Sequence, residues 1–213
     1  MAVLANRRAL ACTIAAMAEI DKTNPDHRHR LLEGMAQSVA EKGYADTTIA
    51  DVVRLASVSR RTFYEHFASK PECLIALYEA ASHNALGVLR GAIDPSHPWQ
   101  AQIDQALAAY LGTMTRNPVL LRTMFIEMLG LGAPGLAARR RVNREIADFM
   151  VSTINAGARP QGQVLSADMA MAVVGGINEL ILQYIEQDKV DDLLQLVGPA
   201  SRLVRAVTAA PAN

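Results

Sequence analysis

Two cysteines in 213 residues, Cys12 and Cys73, provide neither a disulfide framework nor a metal-ligand spacing, which fits a reducing cytoplasm. A free cysteine of this kind reads first as a small hydrophobe and only second as a redox sensor. Aromatic residues make up 5% of the chain, and runs of β-branched residues are scarce. Strand-like alternation is missing, so the abundant Ala, Leu, Val and Met favour helix throughout. Charge of one sign is also lacking: 21 Lys+Arg meet 21 Asp+Glu, a balance that does not mark a nucleic-acid binder without a motif to support it. No apolar run approaches the ~18 residues of a membrane span, so no membrane partner is expected. Phosphate loops, metal-spaced His/Cys sets, nucleophile elbows and isolated carboxylate pairs are absent too, so neither an enzyme nor a cofactor is expected.

What charge there is lies unevenly. Between residues 28 and 70 the basic residues are Arg28, Arg30, Lys42, Arg54, Arg60, Arg61 and Lys70, against Glu33, Glu41, Asp46, Asp51 and Glu65. The remainder to the C-terminus is slightly acidic. At the start, Arg7 and Arg8 precede an Ala-rich run over 9–18 that mimics a signal peptide. It is only weakly hydrophobic, and Val3, Leu10, Ile14 and Met17 share a helical face, so an amphipathic arm over 1–24 is expected rather than export.

Helix punctuation is frequent. Asn24-Pro25 pairs an N-cap with Pro at the first helical position. The helix that follows carries Leu31, Leu32, Met35, Val39 and Ala40 on one face and stops at Lys42-Gly43. Thr48 with Asp51 makes a capping box for a second helix. Ala56-Ser57-Val58 is a tight turn, and Ser59 caps a third helix reaching Phe67. Ser69 with Glu72 launches a long helix over 70–90. Three helices within about 45 residues, the last two joined by a turn of ~3 residues, have the spacing of a helix-turn-helix. Five further helices are expected, over 99–116, 119–131, 134–156, 167–186 and 189–207.

The run Gly43-Tyr44-Ala45-Asp46-Thr47-Thr48-Ile49-Ala50-Asp51-Val52-Val53, followed by Ala56-Ser57-Val58-Ser59-Arg60-Arg61-Thr62-Phe63-Tyr64-Glu65-His66-Phe67-Ala68-Ser69-Lys70, closely resembles the DNA-binding signature of the TetR family of bacterial repressors. Thr-Phe-Tyr-x-His-Phe-x-Ser-Lys is its most diagnostic part. One departure is visible: the family usually has Gly in the turn where this chain has Ser57, and Ser adopts a left-handed conformation only at some cost. Ile49, Val52, Val53, Val58, Phe63 and Phe67 form the expected core of the motif. The resemblance implies that the third helix enters the major groove, with Arg60, Arg61, Thr62 and His66 at base edges and Thr48, Tyr64 and Lys70 at phosphates. On an arbitrary helix Arg60 and Arg61 would read as a solvated pair, and His66 as packing.

The rest of the chain resembles the family in helix count, length and order. Tyr110, Met114, Met124, Phe125, Met128, Phe149, Met150 and Met169 read individually as helical core. As a group the resemblance implies an effector pocket among their helices, with Glu127 as a polar spot inside it. The helix over 167–186 is apolar around most of its circumference and holds small residues, so it must be covered on several sides. By resemblance it forms a four-helix dimer interface with the last helix, through Ala172, Gly175, Gly176, Leu180, Leu196 and Leu203. Arg139, Arg140, Arg141 and Arg144 read as a solvated face.

The expected protein is therefore all-α: an N-terminal arm (1–24), a three-helix helix-turn-helix domain (25–70) and an antiparallel helical domain for ligand binding and dimerisation (71–213). The implied partners are double-stranded operator DNA, a small apolar or amphipathic effector and a second copy of the chain. The implied activity is repression relieved by the effector, in the cytoplasm. Activation on the same fold, or an interaction module that has lost DNA binding, are the alternatives.

Overall fold

The computed structural model describes residues 27–156 and 164–209, which are helical with no strand among them. The arm over 1–24 and the Asn24-Pro25 start signal lie outside the described residues. The order is α1 (His27–Asp46), α2 (Ile49–Ala56), α3 (Arg60–His66), α4 (Lys70–Gly91), α5 (Trp99–Met114), α6 (Pro118–Arg122), a π-helical turn (Thr123–Glu127), α7 (Met128–Gly130), α8 (Ala133–Ala156), α9 (Ala167–Glu186), a 3-10 helix (Val190–Leu196) and α10 (Val197–Thr208). No helix among these is long and apolar enough to cross a membrane.

Local chemistry accounts for the boundaries. Helical geometry in α1 breaks at Gly43, where φ is +79°, a conformation that costs glycine almost nothing. Thr47 seals that end by donating from its hydroxyl to the Gly43 carbonyl at 2.8 Å and sharing a buried hydrogen bond with Ser38 at 3.0 Å. Thr48 and Asp51 form the expected capping box, and Ser59 caps α3 by accepting from the Thr62 N–H. The box at α4 is altered: Ser69 accepts from the Glu72 N–H, but the Glu72 carboxylate reaches back to the Ala68 N–H at 2.7 Å.

Two expected helices differ. The one over 119–131 is three short pieces, because a π-helical turn at Thr123–Glu127 interrupts it. Pro118 starts it instead, with Asn117 accepting from the Leu120 N–H. The last helix is also divided, running as 3-10 from Val190 to Leu196 before becoming α-helical.

The chain forms two compact units: residues 27–84 with 114–138, and residues 85–113 with 139–209 as far as described. The boundary expected at residue 70 therefore does not coincide with a unit boundary. In the first unit α1 packs against α2, α3, α6 and the π-helical turn. Its core holds Leu31, Leu32, Met35, Val39, Val52, Phe63, Phe67, Leu74, Met124 and Met128. Segment 118–130 joins this unit because its apolar side chains Leu121, Met124 and Met128 are buried there. The second unit is centred on Ile103, Leu107, Ile146, Val174, Ile177, Ile181, Leu193 and Val204.

Candidate nucleic-acid interface and effector cavity

The helix-turn-helix is held by close contact between α1 and α2. A Cβ on Gly34 would lie 2.6 Å from the Val52 carbonyl oxygen and 3.1 Å from the Ala56 nitrogen, so only glycine admits this approach. The turn after α2 places Ser57 at φ 52°, ψ 45°, the left-handed conformation that glycine would take without strain. Arg30 of α1 donates to the Ser57 carbonyl oxygen at 2.7 Å. Gly34 and Arg30 carried no signal in the sequence, since neither belongs to the apolar periodicity or to the capping pattern.

Phe63 and Phe67 face the core and are buried. Their burial turns the opposite face of α3 outward. There Arg60 and Arg61 are exposed, Arg61 paired to Glu65 at 3.1 Å and Arg60 lying 5.9 Å over the Tyr64 ring. Tyr64 is 50% exposed. Thr62 is half-buried, its hydroxyl 2.9 Å from that of the cap residue Ser59. His66 is half-buried too, with its ring 6.4 Å from that of His27. Such a face can offer guanidinium forks, a methyl and an aromatic hydroxyl to a groove.

The expected phosphate contacts have prior partners. The Lys70 ammonium donates to the carbonyl oxygens of Tyr44 at 3.0 Å and Thr47 at 2.9 Å, and sits 4.2 Å from the Tyr44 ring. One of its three N–H groups remains for an anion. Thr48 is exposed, and its hydroxyl bonds to the Asp51 carboxylate. Hydrogen bonds from Lys42 and from Thr48 hold the Asp51 carboxyl far below the ordinary carboxylate range. Burial, then the nearby charge of Glu127, pushes the Tyr44 phenol up. Cys73 is buried and its thiol is pushed up to about 12, so it stays protonated at neutral pH and is no candidate for a reactive thiolate.

The second unit contains a cavity of about 90 Å³ lined by Leu89, Ile93, Trp99, Gln102, Ile103, Ala106, Leu107, Tyr110, Ile146, Phe149, Met150, Thr153, Ile154, Val174, Ile177, Asn178 and Val204. Of the residues expected at a pocket, Tyr110, Phe149 and Met150 line this cavity. Met124, Phe125, Glu127 and Met128 belong to the first unit, with Met124 and Met128 buried in its core. Met114 is at the end of α5 and does not line the cavity. Met169 is 45% exposed near the start of α9. The branched wall residues Ile93, Ile103, Ile146 and Ile154 carry no signal in the sequence, where each reads as ordinary helical core.

The α9 residues Ala172 and Gly175 are exposed, while Gly176 and Leu180 are half-buried. A Cβ on Gly175 would meet nothing within 4 Å, whereas one on Gly176 would sit 3.5 Å from Leu203 of the same chain. Leu203 is half-buried, and Leu196 is covered within its own chain at 3% exposure. Arg140, Arg141 and Arg144 are exposed on α8 and Arg139 half-buried.

Residues 31–77 match the sequence profile described as "Bacterial regulatory proteins, tetR family". The HTH-type transcriptional regulator YxbF of Bacillus subtilis (strain 168) is 29% identical over 103 residues, which are 48% of this chain and 27% of that protein. The chain thus matches about a quarter of that relative's length. The fold is shared with the fatty acid degradation regulator FadR from Bacillus halodurans, at a TM-score of 0.66 and 17% identity, covering 86% of this chain and 96% of the other. It is shared equally with the transcriptional regulator FadR from Bacillus subtilis in complex with stearoyl-CoA, at 0.63 and 16%, covering 82% and 96%. Residues 31–77 thus match the tetR-family profile over the helix-turn-helix, and the described helices share the fold of these solved regulators.

Proposed function

We propose that this protein is a sequence-specific DNA-binding transcriptional regulator, a cytoplasmic homodimer that represses from a palindromic operator and is released by a small apolar or amphipathic effector. The observation that carries the reading is the two-sided α3, with Phe63 and Phe67 locked inward and Arg60, Arg61 and Tyr64 presented outward. In this reading Arg60, Arg61, Thr62 and His66 meet base edges, and Tyr64, Thr48 and the remaining Lys70 N–H meet phosphates. Two such helices related by a dimer axis match half-sites a multiple of ~10 base pairs apart. The exposed Ala172 and Gly175, with Gly176, Leu180 and Leu203 beside them, form the proposed contact with a second copy.

The cavity around Tyr110, Phe149 and Met150 is the proposed effector site, and that a protein of this fold holds stearoyl-CoA supports a ligand-responsive role. Leu89 of its wall lies on α4, the same continuous helix that starts at Lys70. A hundredfold drop in operator occupancy requires the effector to favour the DNA-incompetent state by about 2.7 kcal/mol. Selection of duplexes from a random pool by the purified protein tests the reading. Recovery of a palindrome is expected, and a pool left without sequence preference would refute it.

A further inference from the structure

The cavity wall specifies what an occupant must lack. None of its residues is Asp, Glu, Lys, Arg or His, and its surface is almost wholly hydrocarbon. The amide nitrogens of its two amide side chains already have partners: Gln102 donates from Nε2 to the His97 carbonyl at 2.7 Å, and Asn178 donates from Nδ2 to Asn143 Oδ1 at 3.0 Å. Asp104 of α5 is already paired with Arg205 of α10, which donates to both of its oxygens at 2.7 and 2.8 Å. An anion or cation entering this space would lose its hydration and meet no side chain of opposite charge.

Size narrows the choice further. A dry cavity of about 150 Å³ lined by Leu, Ile and Phe in another protein accepts benzene or xenon. The present space is about 90 Å³, so a single ring fits with a modest outward shift of the wall. Met150, unbranched and half-buried at the wall, is the side chain suited to supply it. We infer that the site selects an uncharged, largely hydrocarbon ligand of one-ring size, held mainly by shape and dispersion, and rejects carboxylates and acyl-CoA thioesters. This rests on the cavity being the effector site proposed above, and it narrows that effector's class.

The test measures thermal unfolding of the full chain and calorimetric binding with toluene, benzoate and stearoyl-CoA, with operator titrations run in parallel. Toluene is expected to raise the unfolding midpoint in a concentration-dependent way. Benzoate should bind at least about tenfold more weakly, because its carboxylate meets no cation in the wall. Thr153→Phe fills the space and should abolish the toluene effect. Should that variant fail to fold, Met150→Ala enlarges the space and should admit naphthalene, which the parent rejects. Benzoate or stearoyl-CoA binding as tightly as toluene overturns the inference, as does a toluene effect that survives Thr153→Phe. Toluene binding without operator release upholds the ligand class and refutes effector-released repression. Operator release by an anion, without toluene binding, does the reverse.

Discussion

Arg30 on α1 donates a 2.7 Å hydrogen bond to the carbonyl oxygen of Ser57, the one residue of the helix-turn-helix turn that stands in the left-handed conformation. A side chain at such a φ costs on the order of 1 kcal/mol relative to glycine. The charge-assisted bond from Arg30 offsets part of that cost and fixes the angle at which α3 leaves the turn. Ser57→Gly should therefore stabilise the chain by up to about 1 kcal/mol, less the entropy that glycine adds to the unfolded state. Arg30→Ala should lose about 1–2 kcal/mol and weaken DNA binding, and Ser57→Gly should recover part of both losses. Urea unfolding and DNA titration of the single and double variants measure the coupling. Strict additivity would show that the two residues do not act together.

Gly34 sets the distance between α1 and α2. Gly34→Ala drives a methyl against the Val52 carbonyl oxygen, and overpacking of this kind costs about 1–3 kcal/mol. Helix propensity alone would make the same change stabilising by roughly 0.5–1 kcal/mol. The sign of the shift in unfolding midpoint thus decides whether the close approach governs this position.

Most of the DNA-binding part was legible in the sequence because capping chemistry is local. Thr48, Asp51 and Ser59 mark helix starts within three or four residues of themselves, and the structure uses each as expected. Ser57 was legible as an anomaly for the same reason, since turn geometry dictates residue type. The cavity was not. A wall drawn from Leu89, Ile103, Ile146 and Val174 is assembled by packing between helices distant in sequence, and each of those residues looks like ordinary core. The resemblance implied a pocket role for Met124, Phe125, Glu127 and Met128, whereas Met124 and Met128 bury their side chains in the first unit.

The capping box at α2 should respond to acid. Asp51's carboxyl is held low in the folded chain, so the stability it contributes is complete above its ordinary pKa of 3.8 and is lost as pH falls through the lower folded value. Asp51→Asn should therefore show less loss of stability than the parent when unfolding is compared at pH 6 and at pH 3. Thr48→Ala should cost about 1 kcal/mol at neutral pH through loss of the cap. An identical acid response in parent and Asp51→Asn would contradict this.

The proposed dimer contact separates two neighbouring glycines. Gly175 opens to space outside its own chain, while Gly176 faces Leu203 within it. Gly175→Arg should split or weaken a dimer with little change in the helicity of the chain. Gly176→Leu should disturb packing inside the chain as well. Sedimentation at micromolar concentration, with circular dichroism alongside, distinguishes the two. An undisturbed dimer in Gly175→Arg would place the interface elsewhere.

The most direct test of DNA recognition is titration of a selected duplex and a random duplex across a range of salt, with the parent chain beside Arg60→Ala and Tyr64→Phe. The parent should prefer the selected duplex by about a thousandfold or more, with affinity for both falling steeply as salt rises. Arg60→Ala should lose about 1–3 kcal/mol on the selected duplex alone, whereas Tyr64→Phe should weaken both alike. Equal, salt-insensitive binding of both duplexes by the parent chain would contradict the account.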